Sequence, residues 1–257
     1  MRYFITFAYD GTSFHGSQTQ PNGNTVQAEL EAAFATILRQ PVPLTFAGRT
    51  DAGVHAEQMV AHFDFDKPVP ANLCGRLNNL LPASIAVTDI RRVVDDAHAR
   101  FDATERTYYY RITSRKDPFT HQTRTRIGTP LDFEAMNNAA KHLLGQQDFA
   151  SFCRTHTDVK TTICDVKEAR WVQENENEAY FVITADRFLR NMVRAVVGTL
   201  FEVGRGRMTQ QQFADVIAAK NRCAAGHSAP AEGLSLVQIK YPEGVYVGFA
   251  SSACAGE

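Results

Sequence analysis

The sequence predicts an α+β protein built from two halves, each mixing strands with helices. Three observations carry this. Segments of strand period and segments of helical period alternate along the whole chain. The order strand, helix, strands recurs in both halves. The stretch LRNMVRAVVGTLFEVG is apolar on most faces, as a buried helix is. At 257 residues the chain is long for one compact core and suits one large domain or two smaller ones. A soft boundary near residue 102 gives halves of 1–102 and 103–257.

In the first half, residues 2–9 (RYFITFAY) are rich in aromatic and β-branched types and read as a strand. DGTSFHGSQTQPNGN is a loop. From Thr25 the period changes: Leu30, Ala33, Phe34, Ile37 and Leu38 fall at helical spacing, with Asn24 or Thr25 as N-cap. Pro41 and Pro43 close that helix, VPLTF reads as a short strand, and GRTDAG as a tight turn. Met59, Ala61, Phe63 and Phe65 alternate with Gln58, His62 and Asp64, which predicts a strand with one buried face. A helix over 71–80 and a strand over 85–93 follow.

In the second half, RTYYYRIT at 106–113 is a strand and a helix starts at Asp132. Strands are expected over 163–172, 179–185 and 234–240, a buried helix around 189–204 and a polar helix over 209–219. The two halves share an order of elements but no sequence identity.

Composition is that of a globular protein, 44% hydrophobic and 21% charged. No apolar run approaches the roughly 20 residues that span a bilayer, and the N-terminus has no secretory pattern. Five cysteines, none in a C-x-x-C pair, predict reduced thiols without a zinc site or disulfide framework, hence a cytoplasmic protein. The net charge of −1 argues mildly against nucleic acid. Distribution can outweigh the total, although such clusters also occur as plain solvated surface charge. Arg100, Arg106, Arg111, Arg115, Lys116, Arg124 and Arg126 concentrate positive charge in one segment, and Arg187, Arg190, Arg194, Arg205 and Arg207 in another.

FAGRTDAGVHA carries the chemistry. Gly48 and Gly53 bracket a turn that presents Asp51, and Arg49 two residues earlier favours an ionised carboxylate. A positioned carboxylate can act as a nucleophile on carbon. An ordinary turn aspartate bridged to Arg49 has the same local pattern. Tyr108, Tyr109 and Tyr110 are consecutive, so on a strand Tyr108 and Tyr110 share a face. Arg187, Arg190 and Arg194 are three and four apart, one face of a helix. FDFD at 63–66 has a D-x-D spacing but is followed by Lys67-Pro68. His55 and His62 lack a third ligand, and Gly204 and Gly206 lack the rest of a dinucleotide fingerprint. No metal and no small-molecule cofactor are expected.

The run GRTDAGVHA resembles the signature of the TruA family of tRNA pseudouridine synthases. YDGTSFHGSQTQ, HARFDATERTYYYRI, GQQDFASF, RFLRNMVRAVVG and AEGLSLV are similar to further family segments in the same order, so the resemblance covers nearly the whole chain. It implies two similar halves with antiparallel sheets joined side by side and a cleft between them. It implies Asp51 as the catalytic residue, Tyr108 as the active-site tyrosine that stacks on the base, and Arg194 paired with the Asp51 carboxylate across the cleft. Arg187 and Arg190 then suit phosphates, and Arg49 helps to hold the carboxylate. The implied partner is tRNA, bound by a homodimer, and the implied targets are uridines 38, 39 and 40 of the anticodon stem-loop. The family usually has Gly-Trp-Gln where this chain has Gly16-Ser17-Gln18, in a loop that tends to face RNA. Two other readings of Asp51 stand beside this one: a structural aspartate in an RNA-binding protein, and a base activating water in a hydrolase.

Overall fold

The computed structural model describes residues 1–21, 23–154 and 160–247. In chain order the elements begin β1 (Arg2–Tyr9), α1 (Val26–Leu38), β2 (Thr45–Phe46), β3 (His55–Asp64), α2 (Leu73–Leu80) and β4 (Ile85–Val93). Next come β5 (Glu105–Thr113), β6 (Thr125–Arg126), α3 (Phe133–Ala140), β7 (Gly145–Asp148), β8 (Ile163–Gln173) and β9 (Glu178–Ala185). The last are α4 (Met192–Gly204), α5 (Gln210–Ala219) and β10 (Leu234–Lys240). The chain is mixed α+β; β1 with β3, β1 with β4, β2 with β3, β5 with β9, β7 with β8 and β8 with β9 pair antiparallel, and β5 with β6 parallel. It divides into two compact units, Met1–Thr104 with the residues from Leu236 onward, and Glu105–Ser235.

In the first unit the strands run β4-β1-β3-β10, with β2 paired to β3. The register sets Tyr3 opposite Phe63 and Phe4 opposite His62. On one face Tyr3 and Phe63 stack, and Phe34 of α1 lies 4.9 Å from Phe63. On the other, Phe4 meets Tyr241 at 4.9 Å and His62 meets His98 at 4.6 Å. Met59 through Phe63 are therefore all buried. This corrects the expectation of one buried face, because the segments around 98 and 241 cover the side that alternation leaves to solvent. Helix α1 starts where Thr25 accepts from the Ala28 amide and ends at Arg39, in the left-handed region at φ 58°. VPLTF contributes only its last two residues as β2.

In the second unit the order is β5-β9-β8-β7, with β6 on β5. Trp171 centres the helix-covered face, 5.4 Å from Phe181, 5.8 Å from Phe133 of α3 and 5.8 Å from Phe201 of α4. Tyr109 stacks on Tyr180 at 4.6 Å, with the Arg111 guanidinium 5.3 Å from the Tyr109 ring. Asp132 caps α3, and Thr209 with Gln212 forms a capping box at α5. Helix α4 is buried over nearly its whole length, as its composition predicts.

Cys153, Cys164 and Cys223 are free thiols. Cys74 is disulfide-bonded, which corrects the expectation of a fully reduced set; which thiols meet is set by the fold and leaves no spacing signal in the sequence.

Candidate active site

Asp51 lies in the connection between β2 and β3 of the first unit. Ala47 N–H donates to Val60 O at 2.8 Å, which keeps the chain on the sheet until the turn begins. Val54 N–H donates to Asp51 O at 3.2 Å, closing a four-residue turn that starts at Asp51. Gly53, third in that turn, has φ 77°, a conformation in which a side chain is strained. Gly48 is not in that region. Asp51 is half-buried and Arg49 exposed.

Thr50, the residue before the carboxylate, is held at every polar atom. Its N–H donates to Ser17 Oγ at 2.9 Å, its carbonyl accepts from Ser17 N–H at 3.2 Å, and its hydroxyl bonds the Tyr9 phenol at 2.8 Å. Beyond Asp51, Gly11 packs on the backbone of Val54; a Cβ at Gly11 would fall 2.0 Å from Val54 O. The Gly11 amide donates to His55 Nδ1 at 3.1 Å. Residues on both sides of Asp51 are thus fixed by the loop that follows β1. Sequence reading singled out neither Thr50 nor Tyr9. Ser17, in the loop that the family resemblance turns towards RNA, is itself fully buried. The signal was present only as a small polar residue between Gly16 and a helix start.

The other candidates belong to the second unit. Tyr108, on β5, is half-buried and meets Phe188 edge-on at 5.1 Å. Phe188 sits in the β9–α4 connection, flanked by Arg187 and Arg190. Arg106 Nη1 donates to Asp186 O at 2.7 Å, and Asp186 Oδ1 accepts from the Asp165 and Arg187 amides at 2.8 and 2.7 Å, so this connection is tied to β5 and β8. The structure therefore brings Tyr108 together with the segment that carries Arg187 and Arg190.

Arg187 and Arg190 are not on the helix, which corrects the expected basic stripe. Asn191 takes φ 65° and Met192 N–H bonds Leu189 O at 3.1 Å, so α4 begins at Met192 and only Arg194 lies on it. The i, i+3, i+4 spacing is real but is interrupted by that left-handed residue. Arg194 Nε donates to Ala229 O at 2.7 Å. Arg154 joins the same region, its amide bonded to Arg190 O at 3.1 Å, and sequence reading did not single it out.

Tyr110 is supporting structure. Its phenol donates to Pro230 O at 3.0 Å and bonds Thr125 Oγ1 at 2.8 Å, and burial pushes its pKa well above the ordinary phenol value. The two histidines weighed as ligands accept backbone amides instead, His55 from Gly11 and His62 from Ala99. A cavity of about 270 Å³ beside the β8–β9 turn, lined by Thr113, Leu131, Phe133 and Glu178, contains none of the candidate residues.

The amino-acid sequence that folds in this way is similar to those of known proteins. A family profile described as tRNA pseudouridine synthase matches residues 139–242. The tRNA pseudouridine synthase A of Parabacteroides distasonis is 55% identical over 247 residues, 95% of this chain and 98% of that protein. That of Porphyromonas gingivalis is 50% identical over 250 residues, 96% of this chain and 99% of that protein. That of an Exiguobacterium species is 40% identical over 241 residues, 93% and 98% of the two chains. The chain belongs to the tRNA pseudouridine synthase A family and is an isomerase of the pseudouridine synthase class.

Proposed function

We propose that this chain isomerises uridine to pseudouridine at positions 38, 39 and 40 of the anticodon stem-loop of tRNA, with Asp51 as nucleophile. One observation supports the assignment within the chain: Asp51 is the half-buried carboxylate that directly follows a fully bonded Thr50, inside the run GRTDAGVHA. Fixing a reacting group in advance removes the entropic cost of positioning it during the reaction.

The reaction breaks the bond between ribose C1′ and base N1, turns the base, and joins C1′ to C5. The C5 proton leaves and N1 gains one, so atoms and electrons balance without a redox partner. The target nucleotide must be everted to expose C1′. Tyr108 stacks on the everted base and its phenol can carry a proton. Arg49 and Arg194 fix the carboxylate in place, and Arg187 and Arg190 bind phosphates. Residues 1–102 carry the catalytic loop, and 103–257 carry the tyrosine and the basic residues. The family resemblance adds a homodimer, a cytoplasmic location, and halves with side-by-side sheets around a cleft.

The test uses tRNA carrying 5-fluorouridine at the target position. A synthase yields a stalled adduct or a rearranged product, a binder leaves the nucleotide unchanged, and a hydrolase releases free base or cuts the chain. Asp51→Ala should bind tRNA and form no pseudouridine; conversion by that variant removes the assignment. Mapping pseudouridine in tRNA from cells lacking the protein tests the three positions.

A further inference from the structure

We infer that Ser17 is a positioning residue for Asp51, transmitting the placement of helix α1 to the catalytic turn; this rests on the reading of Asp51 as nucleophile. Ser17 has no exposed surface. Its hydroxyl accepts the Thr50 amide and its amide donates to the Thr50 carbonyl, a reciprocal pair one residue from Asp51. On its other side the Ser17 carbonyl accepts from the Gln27 amide at 3.0 Å, in the first turn of α1.

Gln27 reinforces this connection. Its side-chain oxygen accepts from Thr19 N–H at 3.2 Å, and its amide nitrogen donates to Leu44 O at 3.1 Å, just ahead of β2. Gly16 permits the approach: it has φ 96°, and a Cβ there would lie 2.8 Å from Thr50 O.

The residue type follows from these contacts. Position 17 must be small enough for a sealed site and must offer an acceptor to a backbone donor that is itself nearly buried. Alanine fits the volume but leaves the Thr50 amide unpaired, so the turn shifts to find another partner. A shift of an ångström at a nucleophile costs on the order of a hundredfold in rate. A sealed side chain makes no contact with RNA, so binding should not change.

The test measures single-turnover pseudouridine formation, tRNA dissociation constant and thermal midpoint for Ser17→Ala. The expected result is a rate lower by about tenfold to a hundredfold, with tRNA affinity within about twofold of wild type. Ser17→Cys, which keeps the volume and a weak acceptor, should give an intermediate rate. Ile90→Val, buried on β4 and away from both α1 and the turn, supplies a comparable loss of stability and should keep the wild-type rate when assayed folded. If Ser17→Ala does not accumulate as folded protein, Ser17→Cys is read in the same way. A wild-type rate in the folded variant overturns the inference, as does a fall in affinity that accounts for the lost rate. Activity in Asp51→Ala would instead remove the nucleophile assignment on which the inference rests; an inactive Asp51→Ala beside a fully active Ser17→Ala would remove the inference alone.

Discussion

Arg194 and Ala229 hold each other twice: Arg194 Nε donates to the Ala229 carbonyl at 2.7 Å, and the Ala229 amide donates to the Arg194 carbonyl at 2.9 Å. The first turn of α4 and the strap before β10 are thereby fixed as a pair, and the guanidinium plane is oriented by the bond at Nε.

Lysine keeps the charge at this position but has no donor partway along its chain. Arg194→Lys should therefore lose the orienting bond, at about 1 kcal/mol of stability, and lower the rate by on the order of a hundredfold through misplacement of the cation. Single-turnover kinetics beside a urea titration separate the two effects. A lysine variant with the wild-type rate would show that charge alone suffices.

Gly198 makes the same strap unusually sensitive. It lies inside α4, where alanine normally favours a helix by about 1 kcal/mol over glycine. Here a Cβ would fall 1.7 Å from the His227 carbonyl and 3.1 Å from the Ala229 amide, both backbone atoms. Overpacking against a backbone costs about 1–3 kcal/mol, so the clash outweighs the propensity. Gly198→Ala should lower the urea midpoint and disturb the Arg194–Ala229 pair. An unchanged or raised midpoint would mean that the strap moves aside freely.

His62 gives the fold a pH dependence of known sign. Burial, then the nearby Arg2 and His98 charges, depress its pKa to about 4 from the ordinary 6.5, and its Nδ1 accepts the Ala99 amide at 3.1 Å. Between those two values the unfolded chain takes up a proton that the folded chain refuses. Stability from this group is therefore full above pH 6.5 and falls as pH drops towards 4, by roughly 3 kcal/mol in all at 1.36 kcal/mol per pKa unit. His62→Gln, whose carbonyl can still accept the Ala99 amide, should flatten the stability curve across that window. The check is denaturant unfolding at several pH values, comparing the slope of the variant with that of the parent.

Much of the fold was legible in the sequence because local signals and the tertiary fold agree. Thr25, Asp132 and Thr209 cap the helices expected to start there, and the aromatic and β-branched residues of β1 mark a strand. The failures have physical causes. Alternation in β3 misreads His62, because segments distant in sequence cover that face. The arginine spacing misplaces Arg187 and Arg190, because a single left-handed residue at Asn191 starts the helix after them. In the candidate site, GRTDAGVHA marks the turn itself, but its supports, Tyr9, Ser17 and the Thr50 amide, depend on contacts 33 to 41 residues away in sequence and have no local signature.

Tyr108 and Tyr110 share a strand face by alternation but have opposite fates, which makes phenylalanine substitutions informative. The Tyr110 phenol is committed to Thr125 and Pro230 in a fully buried position, and burial keeps it protonated. Tyr110→Phe leaves the Pro230 carbonyl without this donor, so it should cost about 1–3 kcal/mol of stability and leave the rate nearly unchanged. Tyr108 is half-buried with its ring against the edge of Phe188, a contact that phenylalanine retains. Tyr108→Phe should keep this ring contact and, if the phenol carries a proton, lower the rate by about a hundredfold or more. Tyr108→Ala should in addition weaken tRNA binding by about 1–3 kcal/mol, the usual worth of one base stacked on an aromatic ring. Thermal unfolding, tRNA titration and single-turnover rates on the three variants resolve these effects. A Tyr108→Phe enzyme as fast as the parent would leave the ring a stacking role and remove the proton-transfer role from its hydroxyl.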